Sequence, residues 1–316
     1  MANSPLHGSG KIKWLIGVIC LSALLIAPFF LYPIFLAKLL CLALFACAFN
    51  LLLGYVGLLS FGHAAFFGIA SYSAAHALKE WGLSAEVGLA VGMLVAAILG
   101  LAIGLLAIRR QGIYFSMITL ALAQLVYFFC LQAPFTHGED GIQNVPRGLW
   151  FGLFALDNVL TLYYVVAGMT CLGLLVIWRV VNSPFGNILK AIRENEQRAI
   201  SLGYRVQRYK LGAFVISAAL AGLAGGLKAL VFQLATLNDV SWSLSGEIVL
   251  MTLLGGIGTL SGPVVGASLI VSLENYLAGS ELPFQVVLGL IFVLCVLVFS
   301  RGIVGEVSAL IQRKRH

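Results

Sequence analysis

The sequence predicts an all-α integral membrane protein: a polytopic helical bundle with about ten transmembrane helices, some of them short or broken. Three observations support this prediction. The 316 residues are 61% hydrophobic and only 10% charged, whereas soluble domains carry about 25% charged residues. The mean hydropathy is +1.02, and most of the chain lies in apolar runs of about 20 residues, the length of a membrane-spanning helix. These runs are too continuous for barrel strands, which alternate polar and apolar positions.

The chain is divided by its apolar runs. They lie near residues 14–32, 34–53, 61–78, 87–108, 113–133, 159–178, 211–233, 247–259, 263–278 and 283–300. The runs 247–259 and 263–278 are short and contain glycine, so we expect broken helices there. The first run is longer than the core of about 7–15 residues in a signal peptide, and we expect it to remain as an uncleaved first span. We therefore expect a single transmembrane domain over residues 1–316.

The positions of the basic residues predict the orientation. Cytoplasmic loops of membrane proteins carry an excess of lysine and arginine. With a cytoplasmic N-terminus, ten crossings place Arg109–Arg110, the segment 179–210 and the basic C-terminal tail inside, and the acidic loop 136–148 outside. Both termini are thus predicted to be cytoplasmic. Because topology explains the net charge of +7, we expect membrane lipid but no nucleic acid as a partner.

One long polar island, residues 182–210, interrupts the membrane pattern. Ser183 before Pro184 predicts a helix start, because serine caps helix N-termini and proline is tolerated at the first helical position. Gly203 suits a helix end. We predict one or two short amphipathic helices, which either lie on the lipid surface or dock onto an ATPase subunit as a coupling helix. The charged residues of the island include Lys190, Arg193, Glu194, Glu196, Arg198, Arg205, Arg208 and Lys210.

Two glycine-rich elements share one spacing: Gly54-x-x-Gly57-x-Leu59-Ser60 and Gly255-x-x-Gly258-x-Leu260-Ser261. In each we expect a span to break and restart near the cytoplasmic face, as in transporters with interrupted helices. The alternative is that these glycines allow close helix packing or a turn. A lone histidine near a helix start is usually structural, and a proton or substrate role is the less common alternative. The candidate pathway or gate residues are Gly54, Gly57, Ser60, Gly62, His63, Gly255, Gly256, Gly258 and Ser261.

The residue types that carry enzyme chemistry are scattered. The six cysteines lie in apolar runs without a CxxC pair and are interpreted as small buried hydrophobes. The five histidines are far apart in the chain. We therefore expect no catalytic residue, no metal site and no enzyme activity. A stand-alone secondary transporter would need an ion-coupling residue at mid-depth, whereas Lys38, Lys228, Glu247 and Glu274 map to the outer ends of spans.

Four stretches carry a resemblance to a known family. They are GYVGLLSFGHAAFFGIASY (54–72), YFSMITLALAQ (114–124), AIRENEQRAISLGYRV (191–206) and LLGGIGTLSGPVVGA (253–267). Together they resemble permease subunits of branched-chain amino acid ABC importers, the LivM-type more than the LivH-type. The general loop pattern of ABC permeases survives in part: Ala199 and Gly203 fit it, whereas Gln197 and Arg198 stand where Glu and Ala are usual.

The resemblance implies a type II-like ABC importer permease in the bacterial inner membrane. A periplasmic binding protein would deliver leucine, isoleucine or valine, and a LivH-like permease subunit would complete the pathway. Two cytoplasmic ATPase subunits would bind ATP and Mg, because this chain has no GxxxxGKS/T phosphate loop and is expected to hold no cofactor. A urea or short-chain amide permease is the alternative. The residues implied in coupling to the ATPase are Arg193, Glu194, Asn195, Glu196, Ala199 and Gly203.

Overall fold

The computed structural model describes residues 22, 24–152, 154–277, 286–287, 289–291, 293 and 302–306. The first part of the predicted span near 14–32, residues 14–21, and most of the predicted span near 283–300 lie outside the described residues. The α-helices with described bounds are α1 Pro33–Tyr55, α2 His63–Lys79, α3 Ala85–Ala107, α4 Ile113–Gln132, α5 Val159–Val181, α6 Pro184–Glu194, α7 Glu196–Ser201, α8 Val206–Phe232, α9 Trp242–Gly255 and α10 Gly262–Leu277. Short 3-10 helices lie at Ala27–Phe29, Pro134–Thr136 and Leu237–Val240.

The predicted helical membrane architecture is confirmed. Within the described ranges, five helices are long and apolar enough to cross a membrane: α1, α3, α4, α5 and α8. The helices α9 and α10 have 14 and 16 residues and are separated by a turn, so the broken helices expected in the last third of the chain are present. Helix α2 has 17 residues, because the apolar run that contains it begins with a turn and becomes helical only at His63.

Helices α1 and α8 form the centre of the bundle, and small residues allow their neighbours to approach closely. A Cβ atom on Gly225 of α8 would overlap the carbonyl oxygen of Phe67 in α2. A Cβ atom on Gly222, one turn earlier, would overlap the side chain of Ala96 in α3. Helices in lipid commonly associate through such contacts between small residues. The hydrophobic effect does not favour helix association there, because the lipid chains are as apolar as the helix surfaces. Helices α3, α4 and α5 lie at the periphery and are buried over a much smaller share of their length.

We call the end of the bundle that carries α6 and α7 the inner end, and the opposite end the outer end. At the outer end, strand β1 (Ile142–Gln143) pairs with β4 (Leu234–Ala235), and β2 (Leu149–Trp150) forms a hairpin with β3 (Phe154–Ala155). These strands lie in the segments that connect the helices. Their pairing provides hydrogen bonds for backbone N–H and C=O groups, which lipid cannot provide.

Three of the four ionisable residues predicted near the outer span ends form ion pairs within the described residues, and Glu247 is the exception. Lys38 Nζ of α1 lies 2.7 Å from Glu274 Oε2 of α10. Lys228 Nζ of α8 lies 2.7 Å from Asp239 Oδ2 in the following 3-10 helix. Charges within a membrane protein are costly unless they are paired or hydrated. The ion pairs therefore explain how the charges of Lys38, Lys228 and Glu274 are accommodated at the outer end.

Candidate functional site at the junction of two helix breaks

The polar island folds as two consecutive short helices, α6 and α7, as the sequence predicts. Ser183 caps α6: its Oγ accepts a hydrogen bond from the backbone N–H of Gly186 at 3.3 Å, with Pro184 at the first helical position. Asn195 separates the two helices and caps α7, because its Oδ1 accepts from the N–H of Arg198 at 3.0 Å. Asparagine and serine are preferred at this position because their side-chain oxygens satisfy free N–H groups.

Gly203 ends α7, also as predicted. Its φ of +86° lies in the left-handed region. The N–H of Gly203 donates to the carbonyl of Ile200 at 2.9 Å, and the N–H of Tyr204 donates to the carbonyl of Ala199 at 3.2 Å. This pair of hydrogen bonds is the Schellman arrangement, which requires a residue tolerant of positive φ and so favours glycine. The chain then turns into α8.

The island is attached to the bundle through its inward face. Ile192 and Ala199 are buried and pack against Val206 in the first turn of α8. Glu196 accepts a hydrogen bond from Lys210 of α8, with Nζ and Oε2 separated by 2.7 Å and only 5% of the lysine side chain exposed. The opposite face carries exposed residues, namely Glu194, Gln197, Arg198, Ile200 and Leu202.

Arg193, at the end of α6, contacts both glycine elements. Its Nη1 donates a hydrogen bond to the carbonyl oxygen of Gly54 in the last turn of α1. A Cβ atom on Gly57 would lie 3.2 Å from Arg193 Cγ, and a Cβ atom on Gly258 would lie 3.2 Å from Arg193 Nη1. One side chain of the island therefore reaches the two places where spans are interrupted.

The two glycine elements lie directly against each other. A Cβ atom on Gly54 would come within 2.7 Å of the backbone nitrogen of Gly258, so the contact requires glycine. Asn50 of α1 joins them: its Nδ2 donates to the carbonyl of Thr259 at 2.8 Å, and its Oδ1 accepts from the N–H of Gly258 at 3.0 Å. Asn50 is 2% exposed. The sequence marks Asn50 only as an amide in an apolar helix, one helical turn before Gly54, and this does not identify its partners.

The breaks have the geometry that the shared spacing predicts. Helix α1 ends just before Gly57, whose φ is +81°, and α9 ends just before Gly256 and Gly258, whose φ values are +117° and +76°. The chain resumes as α2 after Gly62 and as α10 at Gly262. The matching glycines Gly57 and Gly258 thus have similar positive φ angles, which glycine adopts at no steric cost.

The remaining gate candidates differ in their surroundings. Ser60 is buried, and its Oγ accepts from the N–H of Gly62 at 3.3 Å. A Cβ atom on Gly62 would lie 2.5 Å from the carbonyl oxygen of Thr119 in α4, so this glycine is required for close packing. Gly255 is closely packed as well, because a Cβ atom there would overlap the carbonyl of Gly262. Ser261, the counterpart of Ser60, is exposed.

His63 is fully buried and links three helices. Its Nε2 lies 2.8 Å from Ser217 Oγ of α8, and that hydroxyl donates to the carbonyl of Ala48 in α1 at 2.5 Å. Because the Ser217 hydroxyl is used as a donor, it accepts from His63, and Nε2 carries the proton. Phe49, Phe66 and Phe214 surround the imidazole edge to face. This environment supports the structural interpretation of His63.

Together these features define a multi-pass helical membrane protein with interrupted spans that meet at one inner junction. Residues 32–299 match the family described as branched-chain amino acid transport system / permease component, and the chain belongs to this family. The resemblance found in the four motif stretches is therefore confirmed.

Individual relatives show the same relationship. The chain is 31% identical to the high-affinity branched-chain amino acid transport system permease protein LivM of Escherichia coli (strain K12) over 245 residues, 70% of this chain and 58% of that protein. It is 25% identical to the corresponding LivH of Salmonella typhimurium (strain LT2) over 284 residues, 84% of this chain and 91% of that protein. The chain spans 58% of the length of the LivM relatives that it matches. No solved structure matches it.

Proposed function

We propose that this chain is the transmembrane permease subunit of an ATP-driven ABC importer. In this proposal it moves leucine, isoleucine or valine, delivered by a periplasmic binding protein, into the cytoplasm. Membership of the permease family and the names of the LivM and LivH relatives support the substrate class. The protein would lie in the bacterial inner membrane as a type II-like permease of about ten spans, with both termini cytoplasmic.

The proposed assembly contains further subunits. A LivH-like permease would complete the pathway, since relatives of both types exist. Two cytoplasmic ATPase subunits would bind ATP and Mg and supply the energy. Arg193, Glu194, Asn195, Glu196, Ala199 and Gly203 would belong to the segment that couples this chain to them.

The observation that carries the proposed mechanism is the contact of Arg193 with both glycine elements. The outward face of α6 and α7 exposes Ile200 and Leu202, 51% and 69% exposed, beside charged residues. An ATPase that docks there and moves would displace the helices, and Arg193 would transmit that displacement to Gly54, Gly57 and Gly258. The two breaks, which contain glycines with positive φ, would act as the inner gate.

The packing of the island favours docking over the alternative of a helix resting on lipid. A helix on a lipid surface inserts its apolar face into the bilayer. Here Leu189, Ile192 and Ala199, which form that face, are buried within the protein. The face left exposed carries charged groups together with Ile200 and Leu202, a mixture suited to a protein partner.

Purification and transport assays test this proposal directly. The chain is purified from its host, and the proteins that remain bound are identified. The complex is then reconstituted in vesicles to measure uptake of leucine, isoleucine, valine and urea, with and without ATP. We expect a second permease and an ATPase to co-purify, and uptake of the branched-chain amino acids to require ATP. Uptake by the chain alone without ATP would contradict the proposal, and uptake of urea alone would change the substrate.

A further inference from the structure

A small groove with two arginines lies at the inner end, where the turn after α7 enters α8. Its volume is about 380 Å³, and it is lined by Phe185, Gly203, Tyr204, Arg205, Arg208 and Tyr209. The Tyr209 ring lies 5.7 Å from the Phe185 ring and 6.1 Å from the Tyr204 ring, between centroids. The groove thus combines an aromatic wall with two guanidinium groups.

The positive charge in this groove is not balanced by the protein. In the part of the chain that the structure describes, neither Arg205 nor Arg208 forms an ion pair or a side-chain hydrogen bond. Glu196, an acid of the same island, is already paired with Lys210. An arginine carries five N–H donors in a planar arrangement that matches phosphate oxygens. Two such groups beside one groove fit an anionic ligand.

The length of α8 places the groove at the depth of lipid headgroups. The helix has 27 residues, which at about 1.5 Å per residue gives a length of about 40 Å. The hydrocarbon core of a bilayer is only about 30 Å thick. The helix therefore exceeds the hydrocarbon core by about 10 Å, which is enough for its first turn, with Arg208, to reach the headgroup region at the inner end. Trp178, in the last turn of α5, is 52% exposed at the same end, as expected of an interfacial aromatic residue.

We propose that this groove binds the phosphate headgroup of an anionic phospholipid from the inner leaflet. Arg205 and Arg208 donate to the phosphate oxygens, and the aromatic wall packs against the glycerol and the upper acyl chain. Basic pockets beside transmembrane helices on the cytoplasmic side are suited to such headgroups. The bound lipid contacts Gly203, the end of α7, so its presence stabilises the turn that orients the island.

Native mass spectrometry of the full-length chain tests the proposal. The protein is equilibrated with equal amounts of phosphatidylglycerol and phosphatidylcholine, and the lipids that remain bound are counted. In Arg205→Gln/Arg208→Gln we expect phosphatidylglycerol to bind on the order of 30-fold more weakly. Each basic residue near an anionic membrane surface strengthens binding by about five- to sixfold, and the variant removes two of them. The matched control is Arg109→Gln/Arg110→Gln, which removes two exposed charges at the same end and should leave binding unchanged.

Further measurements distinguish the possible ligands. Arg205→Lys/Arg208→Lys keeps the charge and should retain most of the phosphatidylglycerol. Millimolar inorganic phosphate should not displace the lipid; if it does, the site takes free phosphate and the lipid assignment is wrong. Equal lipid retention by the glutamine variant and the wild type would also overturn the proposal. Lipid binding is measured without transport, so its failure leaves the proposed transport function unaffected.

Discussion

Asn50 and Gly258 are separated by 208 positions in the sequence, yet the N–H of Gly258 donates to Asn50 Oδ1 at 3.0 Å. The same amide donates from Nδ2 to the carbonyl of Thr259. The side chain of Asn50 thus satisfies the N–H of Gly258 and the carbonyl of Thr259, two backbone groups in the turn between α9 and α10. Because the amide is buried, no water is available to replace these hydrogen bonds.

Removal of the Asn50 amide should therefore destabilise the fold. In Asn50→Ala the buried N–H of Gly258 and the carbonyl of Thr259 lose their partner, at a cost of roughly 1–3 kcal/mol for each group. Thermal unfolding of the purified chain in detergent measures the loss. The control is Asn187→Ala, an exposed asparagine of α6, for which we expect a change below about 0.5 kcal/mol. Equal melting temperatures for both variants would contradict the assigned role of Asn50.

The Arg193 contact predicts a separation of ATP hydrolysis from uptake. Arg193→Gln loses a charge-assisted hydrogen bond to Gly54, and we expect uptake per ATP hydrolysed to fall about tenfold. Membrane insertion and assembly with the ATPase should remain normal. The control Arg179→Gln removes an exposed arginine from the end of α5 and should leave the ratio unchanged. A parallel fall of hydrolysis and uptake in Arg193→Gln would indicate lost assembly rather than lost coupling.

Two glycines of α9 should respond in opposite ways to alanine. A Cβ atom on Gly255 would overlap the carbonyl of Gly262, whereas a Cβ atom on Gly246 would meet no atom within 4 Å. We expect Gly255→Ala to lower the free energy of unfolding by about 1–3 kcal/mol through overpacking. Gly246→Ala should leave stability unchanged or raise it by up to about 1 kcal/mol, since alanine favours the helix. The melting temperatures of the two variants measure these changes. Equal melting temperatures for Gly255→Ala and Gly246→Ala would contradict the prediction, because the close contact at Gly255 would then have relaxed around the added Cβ atom.

The Glu196–Lys210 pair should control the order of α7. Glu196→Gln leaves the charge of Lys210, which is 4% exposed, without its partner, at a cost of about 2 kcal/mol. We expect amide hydrogen exchange in residues 196–203 to accelerate about 30-fold. Glu194→Gln, an exposed acid two positions away, is the control and should not change exchange there. Replacement of both partners in Glu196→Leu/Lys210→Met should restore protection, because no unpaired charge remains.

Local features of the island were predictable from the sequence because they depend on neighbouring residues. Ser183, Pro184 and Gly203 mark helix boundaries through short hydrogen bonds and backbone preferences, and the structure places the boundaries where those residues predict them. The two breaks were predictable for the same reason, since glycine at a fixed spacing determines where a span turns.

Contacts between distant segments were not predictable in this way. The hydrogen bond from Arg193 to Gly54 joins residues 139 positions apart, and no local pattern specifies it. Helical periodicity does give a partial signal, because Arg193 follows the buried Leu189 by four residues and lies on the same face. The role of Asn50 could not be identified from the sequence among the other polar residues of the spans, because its partners are backbone atoms of another helix pair.

Helix α1 is joined to the α9–α10 pair near both of its ends, by Asn50 at the inner junction and by the Lys38–Glu274 ion pair at the outer end. Two attachment points so far apart along one rod prevent sliding of α1 against α10. These three helices consequently behave as one strut. Any movement of the inner junction must therefore carry α1, α9 and α10 together. A spectroscopic distance between labels on the exposed residues Tyr32 and Tyr276, near the outer ends of α1 and α10, leaves the ion pair intact and should stay constant throughout the cycle.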